Sequence, residues 1–232
     1  TVWLAVAGYL IVRLFFVGGI IDRLARRRRV TTGEFFGACG MYFFRFTRLA
    51  ALGILVYWLL FELVHGWLFE TIYERITHDL TVERTAFFVR FGLYALFGLA
   101  VIPVNLIFDY AKIRAVVEGR RSMIGALVAA LRFIRRRPAR SVGLYLLNGV
   151  CFVAILVVYA IVSPGPVGSV SAWGMFLVGQ VYVLARLFVR LMFVASQTAY
   201  FQSQLAHADY VATPVRRWPE SPAAEAISEN RP

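Results

Sequence analysis

Apolar residues run through this chain in long stretches, and most polar positions are gathered between them. Five stretches are long enough to cross a bilayer as helices: residues 2–21, 49–69, 86–108, 142–162 and 172–195. A hydrocarbon core of about 30 Å needs about 20 such residues. Lipid offers the backbone no hydrogen bonds, so each stretch is expected to be helical. A barrel would instead show short alternating strands. The pattern predicts an all-α, polytopic transmembrane helix bundle within residues 1–212.

Two segments between the spans carry a helical period of their own. Thr31-Thr32-Gly33-Glu34 has capping-box spacing and precedes Phe35, Cys39, Tyr42, Phe46 and Leu49 at three- and four-residue steps. In the second, Ile124, Leu127, Val128, Leu131 and Ile134 share a face, with Arg132, Arg135 and Arg136 off it. Ser122 is placed to cap its start and Pro138 to end it. Both read as basic amphipathic inner-face helices. They either lie along the membrane surface with Arg on acidic lipid or extend the bundle and pack on it. The fifth helix is expected to run on through about His207, and residues 213–232, rich in Pro and Glu, read as a disordered tail.

Charge sharpens the picture. Hydrophobic residues make up 60% and charged residues 16% of the chain, against about 45–50% and 25% in soluble domains. A net charge of +12 invites comparison with nucleic-acid binders. The cations, however, stand between apolar runs, where anionic head groups would meet them. Membrane lipids are therefore the expected partners, with other membrane subunits possible and nucleic acid not. Segments 22–48, 109–140 and the tail hold nineteen of the 25 cations; the alternate loops hold only Arg75 and Arg84. The positive-inside rule puts Thr1 outside and the C-terminus in the cytoplasm of a bacterial inner membrane. Trp3, Trp67 and Trp173 fall at the expected outer ends, where indoles prefer the interface. The chain starts on Thr1, which reads as a processed or partial chain. Its charges follow the first apolar run, which is therefore not expected to be a secretory signal and leaves room for a further span upstream.

The spans also suggest a parallel internal repeat. Asp22 and Asp109 end the first and third spans, Arg45-Phe46 and Arg132-Phe133 follow at one offset, and Phe36-Gly37-Ala38 nearly matches Ile124-Gly125-Ala126. The run Asp109-Tyr110-Ala111-Lys112-Ile113-Arg114, then Glu118-Gly119-Arg120-Arg121-Ser122, within the span–basic helix–span layout, resembles the membrane domain joined to some glycerophosphodiester phosphodiesterases and its stand-alone bacterial relatives. The resemblance covers about residues 18–148. It implies a fold and a membrane location but no activity, because the chain lacks the soluble phosphodiesterase domain.

Candidate chemistry rests on the charges inside the spans: Arg13, Glu62, Arg90, Arg186 and Arg190, with Asp109 at the end of the third. A central Arg costs about 2.5–3.5 kcal/mol on insertion scales, which marks it for inspection. Arg13 is either a site for an anionic group or a structural ion pair, with Glu62 as a partner; Glu62 can equally reach Arg90. Arg186 and Arg190 share a face with Tyr182, Gln197 and Gln204, forming a polar stripe that would line a wet cavity, bind lipid phosphate or snorkel. Asn105 follows Pro103 at an expected kink, with Asp109 within reach of Arg186 or Arg190. Arg26, Arg27, Arg28, Arg29, Arg132, Arg135, Arg136 and Arg137 are the expected lipid head-group contacts. Cys39 and Cys151 are too far apart in the topology to pair, and neither cysteines nor histidines have metal-ligand spacing. No nucleophile, metallohydrolase or phosphate-loop signature is present, so neither cofactor nor enzymatic activity is expected. The leading expectation is a structural, accessory or assembly subunit of a membrane complex. The alternative is a transporter or lipid-handling protein using its intramembrane arginines.

Overall fold

A computed structural model describes residues 2–26, 30–78, 80, 82–163 and 172–211. Most of these are helical, and no strand occurs among them. The chain divides into a large unit, Thr1–Ala199, and a C-terminal unit, Tyr200–Pro232. Helix α1 is Val2–Arg26, and α2 is Thr32–Leu59. The second span then widens into two π-helical stretches, Leu60–His65 and Trp67–Ile72, and closes as α3, Tyr73–Thr77. After it come α4 (Glu83–Val117), α5 (Met123–Arg136), α6 (Pro138–Val162) and α7 (Ala172–Val211). Five helices are long and apolar enough to cross a membrane, matching the five expected spans. The tail from Thr213 and Arg27, Arg28 and Arg29 lie outside the described residues.

The first basic segment is the start of the second span and not a separate surface helix. Thr31 caps it reciprocally with Glu34, as the spacing predicted. Ala38, Tyr42, Phe46, Leu49 and Gly53 then form one buried face at four- and three-residue steps. That face packs on α1, where Gly18 and Gly19 let the backbones approach. A Cβ at Gly18 would stand 2.7 Å from the Cβ of Tyr42. At Gly19 it would collide with Cys39 Sγ and crowd the Phe35 carbonyl at 3.1 Å. Small residues serve helix contacts in membranes in this way.

Helix α5 starts on the Ser122 cap, its hydroxyl accepting from Gly125 N–H at 3.2 Å. Its buried face is Met123, Ala126, Ala130 and Ile134, rotated from the expected one. The two fully buried alanines allow close packing on α4, while Ile124, Val128 and Leu131 stay exposed beside exposed Arg132, Arg135 and Arg136. A bulky stripe on the open side and small residues on the packed side satisfy both neighbours. Helix α4 runs unbroken through Pro103, and a smaller core of Leu68, Leu93 and Phe97 ties it to the π-helical stretch. The two cysteines are free, as their separation implied.

Candidate intramembrane polar site

All five spanning helices place polar side chains in the large unit, several of them joined by hydrogen bonds between helices. Helix α1 contributes Tyr9 and Arg13, four residues apart and so on one face. The second span contributes Tyr57, α4 Asn105 and Asp109, α6 Tyr145 and Asn148, and α7 Arg186, Arg190 and Ser196. Tyr57 donates its hydroxyl to Asn105 Oδ1, and Asn105 also hydrogen-bonds Tyr145. Asn148 Nδ2 donates to Ser196 Oγ at 2.9 Å, whose hydroxyl donates to the Phe193 carbonyl at 3.1 Å. Tyr145 meets Phe193 edge-on at 5.5 Å.

The arginines stand beside this network. Arg190 Nη1 donates to Tyr9 Oη at 2.8 Å. Tyr9 lies thirteen residues before Asp22, about 20 Å along the helix. Arg190 thus makes a tertiary contact well along α1 from its basic end. Arg13 is nine residues from Asp22, about 14 Å, and interacts electrostatically with Arg190, Tyr9, Asp109 and Tyr57. Arg186 acts on Tyr9 in the same way. Tyr9, Arg13 and Arg186 are exposed on the protein surface, Arg190, Tyr57, Asn105 and Tyr145 are half-buried, and Asn148 is buried. The cluster thus runs from an open helix face into the bundle.

Its charge is unbalanced. Asp109 accepts from Lys112 Nζ at 2.8 Å, within its own helix, and not from Arg186 or Arg190 as the sequence had suggested. Among the described residues, Arg13, Arg186 and Arg190 form no salt bridge. Glu62 is exposed on the first π-helical stretch and pairs with neither Arg13 nor Arg90. Arg90 instead sits over the Tyr73 ring at 5.3 Å. Chain geometry explains this separation: Glu62 lies five residues beyond Tyr57, away from the cluster. The sequence singled out Arg13, Asp109, Arg186, Arg190 and Asn105. It gave no weight to Tyr9, Tyr57, Tyr145 or Asn148, although Asn148 interrupts an otherwise apolar stretch of α6.

At the basic end, Arg114, Glu118, Gly119 and Arg120 form the α4–α5 corner. Arg114 Nε and Nη2 donate to Glu118 Oε1 at 2.9 and 2.6 Å, and Nη1 donates to the Ala129 carbonyl at 2.6 Å. Arg120 donates to the other Glu118 oxygen, and Gly119 turns the chain at φ 64°, a conformation that favours glycine. Burial alone would raise the Glu118 pKa, but the hydrogen bonds and charges of Arg114 and Arg120 outweigh it and hold the carboxyl below its ordinary value. Asp22 forms an ion pair with Arg26 at 2.9 Å. Arg137 ends α5, its N–H donating to the Ile134 carbonyl at 3.1 Å.

Five apolar helices of spanning length define a multi-pass helical membrane protein, with arginines at mid-span as its distinguishing chemistry. Compared with family models, curated proteins and solved structures, the chain finds no match in any of the three.

Proposed function

We propose that this chain binds an anionic group at mid-membrane depth through Arg13, Arg186 and Arg190. It would do so as a lipid-handling or transport protein of a bacterial inner membrane. The observation that carries the reading is that Arg190 hydrogen-bonds Tyr9, on which the charges of Arg13 and Arg186 also act, while Asp109 is taken by Lys112. A charge this deep is expensive to leave without a counter-charge, and a phosphate or carboxylate supplies one with oxygens suited to the guanidinium fork. The basic residues at the Asp22 end favour placing that end in the cytoplasm, with Thr1 outside. Helix α5 supports contact with acidic lipid there, since Ile124, Val128 and Leu131 are exposed beside Arg132, Arg135 and Arg136.

A second reading keeps the chain as a non-enzymatic accessory or assembly subunit. It is favoured by the exposure of Tyr9 and Arg13 on α1 and of Arg186 on α7, where a carboxylate from another membrane subunit would fit. The phosphodiesterase-like membrane domain remains a proposed kinship on the corner motif alone.

Native mass spectrometry of gently purified protein separates these readings. Wild type should retain anionic phospholipid, and Arg13→Gln with Arg186→Gln should lose it while still folding. Retention of a protein partner in place of lipid, lost in the same variants, would favour the accessory reading. Unchanged retention of lipid and of any partner would sink the proposed site. Orientation has its own check: Asp79→Cys should label from outside and Arg136→Cys should not.

A further inference from the structure

We infer that the polar groups along α7 form a path by which the phosphate of an anionic phospholipid passes between leaflets while its acyl chains remain in the bilayer. The inference rests on the anion-binding reading and adds movement to it. Tyr182, Arg186, Arg190 and Gln197 recur at steps of four, four and seven residues, so they share one helical face. Together they cover about 22 Å of helix, most of a hydrocarbon core of about 30 Å. A site for one stationary ion would concentrate its donors at one depth; these are spread along the membrane normal.

Neighbouring helices supply groups at matching heights. Tyr159 of α6 stacks on Tyr182 at 4.2 Å. Tyr9 of α1 meets Arg190 at 2.8 Å, and Asn148 of α6 meets Ser196 at 2.9 Å. Arg13, one helical turn beyond Tyr9 toward the Asp22 end, interacts electrostatically with Arg190. At that end, Gln197 is 2% exposed, and its amide nitrogen has no acceptor. A buried donor without an acceptor is costly, and a passing phosphate oxygen would supply one. Tyr182, Arg186 and Arg190 stand about one turn apart and Gln197 about two turns further on, so a phosphate is handed from donor to donor along the helix. That removes the desolvation which otherwise keeps a charged head group out of hydrocarbon.

The path is open sideways. Val6 and Leu10 of α1 and Val183 and Leu187 of α7 are exposed beside Tyr9, Arg13 and Arg186. Acyl chains attached to a phosphate there would meet an apolar wall continuous with the bilayer. This lateral opening argues for a lipid phosphate over a free one.

The test reconstitutes the full chain into phosphatidylcholine/phosphatidylglycerol vesicles holding a trace of fluorescent phosphatidylglycerol or phosphatidylcholine, with dithionite added outside. Protein-free vesicles lose only the outer-leaflet signal. With the protein, nearly all fluorescent phosphatidylglycerol should be quenched, and phosphatidylcholine more slowly. Arg186→Gln and Arg190→Gln should each slow quenching about tenfold, the equivalent of one charge-assisted hydrogen bond, while Arg75→Gln leaves it unchanged. Size-exclusion profiles confirm that each variant is folded. Loss of only the outer-leaflet signal, by a protein that still retains phosphatidylglycerol on purification, overturns the path and leaves the binding site standing. Absence of both overturns both. Uptake of radiolabelled glycerol phosphate without lipid movement overturns the lipid as the source of the phosphate.

Discussion

The hydroxyl of Tyr9 and Nη1 of Arg190 lie 2.8 Å apart, joining the first and last spanning helices across 181 positions of sequence. The contact holds a guanidinium about 20 Å of helix from Asp22. Tyr9→Phe removes the acceptor but keeps the ring. Interhelical side-chain hydrogen bonds in membranes average about 0.6 kcal/mol, so stability in bicelles should fall by less than about 1 kcal/mol. Anionic-lipid retention should fall more clearly, because Arg190 loses its orienting contact. A loss of stability with no change in lipid retention would make the pair purely structural.

Asn105 joins Tyr57 and Tyr145, and through them the second, third and fourth spans. Asn105→Leu leaves two half-buried hydroxyls without this partner. The expected destabilisation is about 1 kcal/mol, between the membrane average and the larger cost of an unsatisfied buried group. Denaturation in mixed micelles measures it. Tyr57→Phe in the Asn105→Leu background should add little, since that hydrogen bond is already gone.

Gly18→Ala should destabilise the α1–α2 contact by about 1–3 kcal/mol, the usual range for overpacking. The new Cβ would sit 2.7 Å from the Cβ of Tyr42, and a Cβ cannot swing aside as a side-chain tip can. Gly8→Ala is the control: nothing lies within 4 Å of its Cβ, so stability should hold or rise slightly with the better helix former. Equal melting curves for the two variants would contradict the packing described here.

The α4–α5 corner should be acid-sensitive. Arg114 and Arg120 depress the Glu118 pKa in the folded state from an unfolded value of about 4.3. The folded state therefore binds that proton less readily than the unfolded chain. The stabilisation is fully present above the unfolded pKa and is lost as pH falls through the lower folded pKa. Glu118→Gln should lower the melting temperature at neutral pH and flatten its dependence on pH below about 4.3. An unaltered acid limb in that variant would assign the sensitivity to another carboxyl.

Legibility differed by residue. Arg13 and Arg186 stood out because a cation in an apolar run violates the chemistry of its surroundings. Tyr9, Tyr57 and Tyr145 did not, since tyrosine is common in such runs and its hydroxyl matters only where a partner faces it. Asp109 illustrates the converse. Its charge was visible, but the choice between Lys112 on its own helix and an arginine on α7 depended on how the helices are placed. The corner motif was visible as a pattern; that Arg114 reaches across to the Ala129 carbonyl was not.

The sequence by itself determined five spanning helices, the Thr31 and Ser122 caps and the deep arginines. These follow from local terms: transfer of apolar residues into hydrocarbon, backbone hydrogen bonding within a helix, and the spacing of a cap. Only the tertiary structure decided that Gly18 and Gly19 seat the second span on α1, that α5 packs through its alanines and leaves its bulky stripe open, and that Tyr9 meets Arg190. Those outcomes depend on which faces meet. Hydrocarbon surrounds every span alike, so apolar periodicity does not reveal the packed face; small residues and paired polar atoms do.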